Sequence, residues 1–172
     1  MMRVPMRSRD DLPEEGRRVY DEIVKTRGEV DEAFQILLDS PEALRRIAHL
    51  GSYIRFESRL SGAIRECIIL ATARECGSEF EWASHEPQAR RAGVSEDTIR
   101  SIKSGEVPAH GSAEERAALQ FAFENLRDHR ISDATFEKTR AVFGIGRTTD
   151  IAATVGFYAM LASILNAFDV AK

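Results

Sequence analysis

Apolar residues recur along the chain three or four positions apart, in segments separated by clear start and stop signals. The first two segments run from Pro13 to about Lys25 and from about Val30 to Leu38. The third begins at Ser40, where a cap residue is followed by a proline at the first helical position. No part of the sequence shows the alternation of β-branched residues that strands require. The pattern predicts an all-α protein.

Six further helices are predicted after residue 60, each with a recognisable boundary. They cover approximately Ser61–Glu75, Ser78–Ala92, Ser95–Lys103, Ser112–His129, Ser132–Phe143 and a last segment from Thr148 or Thr149 to Phe168. Gly77 suits the left-handed position that ends the first of them, and Ser112 begins a capping box with Glu115. The segments together predict a bundle of about eight or nine helices.

The length of 172 residues suits one domain, in which we expect a helical arm over residues 1–40 and a core over residues 41–172. Basic and acidic residues are interleaved and the net charge is -4, so no basic stripe offers nucleic acid a binding surface. No segment has the apolar region of a secretion signal or approaches the ~20 apolar residues of a membrane span. We expect a cytoplasmic protein that binds neither nucleic acid nor membrane.

The two cysteines, Cys67 and Cys76, are nine residues apart on one predicted helix. At ~1.5 Å of rise per residue they are roughly 13 Å apart along the helix axis, which is beyond disulfide reach. No pair of histidines has the spacing of zinc ligands. We therefore expect no disulfide and no metal site.

The residues of most chemical interest lie on either side of Gly77. Glu81 and His85 are four residues apart, so they share one face of their helix. If the two helices fold antiparallel about Gly77, Glu66 lies nearly opposite Gln88, about one turn from His85. Two carboxylates then flank one imidazole, an arrangement suited to proton transfer near neutral pH.

When the pattern is taken alone, a structural role is favoured for each of these residues considered singly. Ser78 and Glu81 fit a capping box, in which Glu81 would only satisfy the amides at the helix start. His85 can be an ordinary histidine bonded to a backbone carbonyl, and Glu66 a solvated surface residue. Trp82 fits a core or interface ring better than a platform for substrate.

A longer motif resembles the signature of the carboxymuconolactone decarboxylase and AhpD-like alkylhydroperoxidase superfamily. The similarity extends from about Leu44 to the last helix. The segments that carry the similarity are Glu66-Cys67-Ile68-Ile69-Leu70, Cys76-Gly77-Ser78-Glu79-Phe80-Glu81-Trp82-Ala83-Ser84-His85-Glu86-Pro87, Arg91-Ala92-Gly93-Val94-Ser95, Tyr158-Ala159-Met160 and Asn166-Ala167-Phe168. The resemblance implies an AhpD-like helical bundle with a helical hairpin at its core.

The resemblance also separates two branches of the superfamily. In the peroxidase branch, a glutamate and a histidine enclose a Cys-x-x-Cys motif, and here Glu66 and His85 occupy the outer positions. The two cysteine positions are Ser78 and Glu81, which cannot form a disulfide, and Phe80 stands where that branch has a further histidine. The decarboxylase branch carries a glutamate four residues before the histidine, as Glu81 precedes His85.

The decarboxylase resemblance implies proton chemistry on a small lactone or carboxylated ring, without a metal or organic cofactor. His85 would be the general acid or base, Glu81 would orient it, and Glu66 would be a second proton-relay group. Ser78, Trp82 and Tyr158 are the residues expected to contact the substrate. Arg90, Arg91 and Arg147 are cations near the motif, but their spacing fixes none of them as a substrate anchor.

Two other functions remain open at this point: a thiol peroxidase-like activity that would depend on Cys76, and a non-catalytic oligomeric ligand-binding protein. Members of the superfamily assemble as dimers, trimers or hexamers. The last predicted helix is also apolar around more of its circumference than one core-facing stripe explains. We therefore expect a homodimer, homotrimer or homohexamer that acts on a small molecule.

Overall fold

The computed structural model describes residues 3–170, and all of its regular secondary structure in that range is helical. The α-helices are α1 Glu14–Arg27, α2 Glu32–Gln35, α3 Pro41–Ser52, α4 Gly62–Glu75, α5 Glu79–Arg91, α6 Glu96–Ser104, α7 Ala113–Asp128 and α8 Asp133–Ala167. A 3-10 turn precedes α1 at Arg9–Asp11, and a π-helical turn follows α3 at Tyr53–Glu57. The all-α prediction is confirmed.

The described residues form two compact units, one made of residues 3–58 with 167–170 and the other of residues 59–166. In the first unit, α1 packs against α3. Val19 and Ile23 of α1 and Leu44 and Ala48 of α3 are buried there. The expected arm over residues 1–40 and core over residues 41–172 stay a prediction.

The segment predicted as a helix over Val30–Leu38 contains only the single turn α2. Asp31 caps this turn by accepting a hydrogen bond from the backbone N–H of Phe34. Beyond it, Leu37 and Leu38 donate to carbonyls three residues back, so the chain continues in tight turns. The apolar periodicity marked the buried positions correctly and overestimated the length of the helix.

Helix α4 is the central element of the second unit and packs against α5, α6 and α7. Nine consecutive or near-consecutive residues of α4 are buried: Ile64, Glu66, Cys67, Ile68, Ile69, Leu70, Ala71, Thr72 and Ala73. Gly77, with φ of 62°, reverses the chain between α4 and α5. The predicted helical hairpin is therefore present, and its first helix is buried on all sides.

Helix α8 contains a break at Gly144, whose φ of 71° and ψ of 161° are not helical. Arg147 stabilises the break by donating hydrogen bonds to the carbonyl oxygens of Val142 and Phe143. The predicted stop near Phe143 is thus real, but helical structure resumes directly after Gly144 rather than at Thr148.

By length and composition alone, α8 is apolar enough to cross a membrane, so the expectation that no segment approaches a membrane span was wrong on that point. More than half of its apolar window, 56%, is buried inside the protein, as in a core helix. Ile151, Val155 and Leu165 are almost completely buried. This burial explains the apolar circumference of α8 within one chain, and assembly into a homo-oligomer stays a prediction.

Candidate active site

The α4–α5 hairpin brings two carboxylates to the two nitrogens of one imidazole ring. Glu66 Oε2 of α4 lies 2.8 Å from His85 Nδ1, within hydrogen-bonding distance. Glu81 Oε2 of α5 lies 3.4 Å from His85 Nε2. All three residues are buried, with exposed fractions of 4%, 3% and 7% for Glu66, Glu81 and His85. The site is a buried carboxylate–imidazole–carboxylate cluster.

Local capping fixes the two helices that carry this cluster. Ser61 begins α4 by accepting a hydrogen bond from the N–H of Ile64, and Ser78 begins α5 by accepting one from the N–H of Glu81. The side chain of Glu81 contacts His85, one helical turn later. Ser78 therefore caps α5, while the Glu81 carboxylate faces the imidazole.

Tyr158 of α8 completes the surroundings of the imidazole. Its ring meets the His85 ring edge to face, with 5.2 Å between the centroids and an interplanar angle of 86°. Phe157 packs against the tyrosine in a similar edge-to-face contact. Helix α8 thus contributes an aromatic wall to a site whose charged groups all come from the hairpin.

Trp82 and Ser78, the other two residues expected to contact substrate, have different surroundings. Trp82 is half-buried and packs against the apolar core, with Lys103 Nζ 5.8 Å from the centre of its ring. Within residues 3–170, its buried indole nitrogen has no hydrogen-bond partner. Ser78 is buried and its hydroxyl caps α5. Substrate contact by these residues stays a prediction.

Arg65 is the residue near the site whose importance the sequence did not indicate. Its Nε lies 3.7 Å from Glu66 Oε1, the carboxylate oxygen that is not bonded to His85. Adjacent residues of a helix point about 100° apart, so sequence adjacency gives no reason to expect this contact. Only the folded side chains reveal it.

Two of the three cations considered from the sequence, Arg90 and Arg147, are engaged elsewhere, and Arg91 is exposed. Arg90 pairs with Glu86 and with Glu96 on the surface. Arg147 pairs with Glu114 and caps the first part of α8. Neither interaction involves the imidazole of His85.

Comparison with known families connects this cluster to a superfamily. Residues 41–124 match the carboxymuconolactone decarboxylase family, and this stretch contains Glu66, Glu81 and His85. The matched stretch is slightly less than half of the 172 residues, and over it the chain is similar to members of that family. No curated protein sequence gives a significant match.

Solved structures share the fold at low sequence identity. An uncharacterised peroxidase-related protein with an AhpD core from Ralstonia eutropha is 22% identical, with a TM-score of 0.82 over 99% of this chain and 91% of that one. One from Silicibacter is 21% identical, with a TM-score of 0.79 over 98% and 90% of the two chains. The debrominase Bmp8 is 18% identical, with a TM-score of 0.75 over 95% and 88%. These likenesses establish the AhpD-like fold.

Within this AhpD-like fold, the two thiols lie in surroundings that disfavour the thiolate. Burial raises the pKa of the completely buried Cys67, and Glu115 and Glu66 raise it further. Burial also raises the pKa of Cys76, with a smaller contribution from Glu75. Reactive cysteines have the opposite property, a lowered pKa in an electropositive environment. Neither cysteine has the character of a peroxidatic thiol.

The buried cluster is also not arranged like a metal site. Glu66 and Glu81 contact opposite nitrogens of the imidazole, so their oxygens do not converge on a common point with a ring nitrogen. Among the described residues, no group of three His, Cys, Asp or Glu side chains is placed to hold a metal ion. The chemistry of these side chains is that of proton donors and acceptors.

Proposed function

We propose that this protein is a member of the carboxymuconolactone decarboxylase and AhpD-like superfamily and acts as a cofactor-independent carboxy-lyase, or a related proton-transfer enzyme, on a small lactone or carboxylated ring. The observation that supports this proposal is the buried imidazole of His85 with a carboxylate at each ring nitrogen. Such a group can take up and deliver a proton in a buried environment.

The proposed reaction on γ-carboxymuconolactone breaks one carbon–carbon bond. Carbon dioxide leaves without the bonding electron pair, which is delocalised into the unsaturated lactone. A proton from His85 then adds to the ring carbon, and solvent returns the proton to the enzyme. The protein supplies orientation and the proton, and the reaction is redox-neutral.

The geometry suggests distinct roles for the two carboxylates. Glu66 makes the shorter contact, 2.8 Å to Nδ1, and is suited to hold the ring in one orientation. Glu81 lies 3.4 Å from Nε2 and is suited to exchange a proton with the ring or with the substrate. This proposal is the reverse of the roles expected from the sequence, in which Glu81 orients His85 and Glu66 relays the proton.

Two alternatives receive less support. A thiol peroxidase needs a thiolate, whereas the pKa values of Cys67 and Cys76 are raised by burial. A non-catalytic ligand-binding module would be favoured by a buried His85 that is bonded to backbone and has no cavity beside it. His85 instead contacts two carboxylates, which gives it the surroundings of a proton-transfer group.

The test is carbon dioxide release from γ-carboxymuconolactone by the wild type and by His85→Gln, with hydroperoxide consumption measured in parallel. We expect release by the wild type, a loss of at least about 100-fold in the variant, and no peroxide consumption by either. Circular dichroism checks that the variant is folded. His110→Gln is the matched control, since His110 is an exposed histidine of the same unit.

Equal release by wild type and His85→Gln would exclude His85 as the proton-transfer group. If the wild type released no carbon dioxide from any of a panel of small carboxylated lactones, the carboxy-lyase assignment would be excluded. Peroxide consumption that is lost in Cys76→Ser would instead establish the thiol activity.

A further inference from the structure

Two buried carboxylates share one imidazole in the candidate site, which creates an electrostatic problem. Their side chains are only 5% and 4% exposed for Glu66 and Glu81. With a neutral ring and both carboxylates ionised, the cluster carries two negative charges in a region of low dielectric. Like charges that share a site repel each other, so a neighbouring cation has a strong influence on the arrangement of the cluster.

Arg65 removes the equivalence of the two carboxylates. Its guanidinium Nε lies 3.7 Å from Oε1 of Glu66, and the Arg65 side chain is only 19% exposed. A cation at this distance in a partly buried position attracts the negative charge of the Glu66 carboxylate. The Arg65 side chain also reaches back over the first turn of α4, where its Nη2 lies 3.8 Å from the point at which a Cβ on Gly62 would stand.

We propose that Arg65 is a positioning residue that acts through Glu66 to hold the proton of neutral His85 on Nδ1, and so makes Nε2 the reactive nitrogen. The proposal deepens the proposed function and rests on it for its catalytic meaning. Arg65 itself contacts neither the ring nor the substrate in this account. The four side chains then contact one another in the order Arg65, Glu66, His85 and Glu81.

The tautomer follows from the hydrogen-bonding capacity of the groups. An ionised carboxylate has no proton to donate, so Glu66 accepts a hydrogen bond and Nδ1 must carry the proton at the 2.8 Å contact. Nε2 then presents its lone pair towards Glu81, 3.4 Å away. Nε2 is therefore the ring nitrogen that can accept a proton. Free histidine prefers the opposite tautomer, so this preference must come from the protein.

The experiment is two-dimensional nitrogen–proton NMR of the protein labelled with ¹⁵N-histidine, without substrate, at a pH where the His85 ring is neutral. His85→Gln assigns the resonances. In the wild type we expect the protonated nitrogen to be Nδ1. In Arg65→Gln we expect the proton to shift towards Nε2, whereas Arg65→Lys retains the charge and the wild-type tautomer. Arg91→Gln, an exposed arginine of α5, is the matched control and should leave the His85 resonances unchanged.

Three results would overturn the proposal: a wild type with the proton on Nε2, a ring that stays doubly protonated at every pH at which the protein is folded, or a tautomer that Arg65→Gln leaves unchanged. Because the measurement needs no substrate, it is independent of the reaction. An Arg65-dependent tautomer in a protein that releases no carbon dioxide would support the role of Arg65 and exclude the decarboxylase.

Discussion

Two buried carboxylate sites in the unit of residues 59–166 differ in how their charge is balanced. Asp150 of α8 has a side chain that is only 4% exposed and accepts hydrogen bonds from Nε and Nη2 of Arg59 at 3.0 and 3.1 Å. The backbone N–H of Arg59 donates a third hydrogen bond to Asp150, at 3.3 Å. The carboxylates of Glu66 and Glu81 instead lie one at each nitrogen of an imidazole. Burial is similar at the two sites, but the main partner is a guanidinium at one and an imidazole at the other.

This difference separates a structural ion pair from a group prepared for chemistry. Asp150 faces a bidentate guanidinium that cannot lose its proton at any ordinary pH. The imidazole of His85 can gain or lose a proton, and a carboxylate at each nitrogen gives that proton a place to go. Buried charge therefore marks a candidate active site only where the partner is itself titratable.

The largest expected effect comes from removing the charge of Glu66 while retaining its shape. Glu66→Gln should lower the turnover of the proposed reaction by about 100-fold, because an amide can donate to Nδ1 and favour the wrong tautomer. Turnover and circular dichroism measure activity and folding separately. Glu86→Gln, a surface carboxylate paired with Arg90, is the control and should retain full activity. Equal activity in the two variants would remove Glu66 from the mechanism.

Removing the charge of Asp150, in its structural ion pair with Arg59, should change the stability of the protein but not its turnover. Asp150→Asn should lower the free energy of unfolding by about 1–2 kcal/mol, since it weakens buried hydrogen bonds while the half-exposed Arg59 can still be solvated. Urea denaturation measures the loss. Glu137→Gln, in an exposed pair with Arg140, should change stability by less than about 0.5 kcal/mol. A loss of turnover in Asp150→Asn at a temperature where it is fully folded would contradict the distinction.

Cys67 offers a buried titratable group without a compensating cation. Burial raises the pKa of this thiol in the folded state. The thiol therefore contributes no pH dependence of stability below a pH of about 8.5, its pKa in the unfolded chain. Above that pH the unfolded chain loses a proton that the folded chain keeps, so stability falls. Between pH 7 and pH 9, the free energy of unfolding of the wild type should fall by about 1 kcal/mol more than that of Cys67→Ala. Denaturation curves at both pH values test this, and a constant difference would contradict it.

The smallest effect is expected for the aromatic wall of the site. Tyr158→Leu should cost about 0.5–1.5 kcal/mol of stability through loss of the edge-to-face contact with His85, and should lower turnover only a few-fold. Tyr158→Phe keeps the ring and isolates the contribution of the hydroxyl. A loss of turnover as large as that of Glu66→Gln would place Tyr158 among the groups that take part in proton transfer.

Most of the fold could be predicted from the sequence because its signals are local. Ser61, Ser78, Ser95 and Ser112 accept the capping hydrogen bonds at the starts of α4, α5, α6 and α7, near the predicted boundaries. The capping box of Ser112 with Glu115 is present as predicted. Where the prediction failed, at residues 30–38 and directly after Gly144, tight turns and an arginine cap decide where the helix ends.

The sequence by itself determined the helical order of the chain, the hairpin about Gly77 and the sharing of one helix face by Glu81 and His85, since each depends on residues a few positions apart. It left open whether Glu81 was a cap or a partner of His85, and gave no sign of Arg65. Only the tertiary structure decided that Glu66 reaches Nδ1 and that Arg65 faces the other oxygen of Glu66. Those contacts depend on the packing of α4 against α5 and on side-chain rotamers, which the spacing of residues along the chain does not specify.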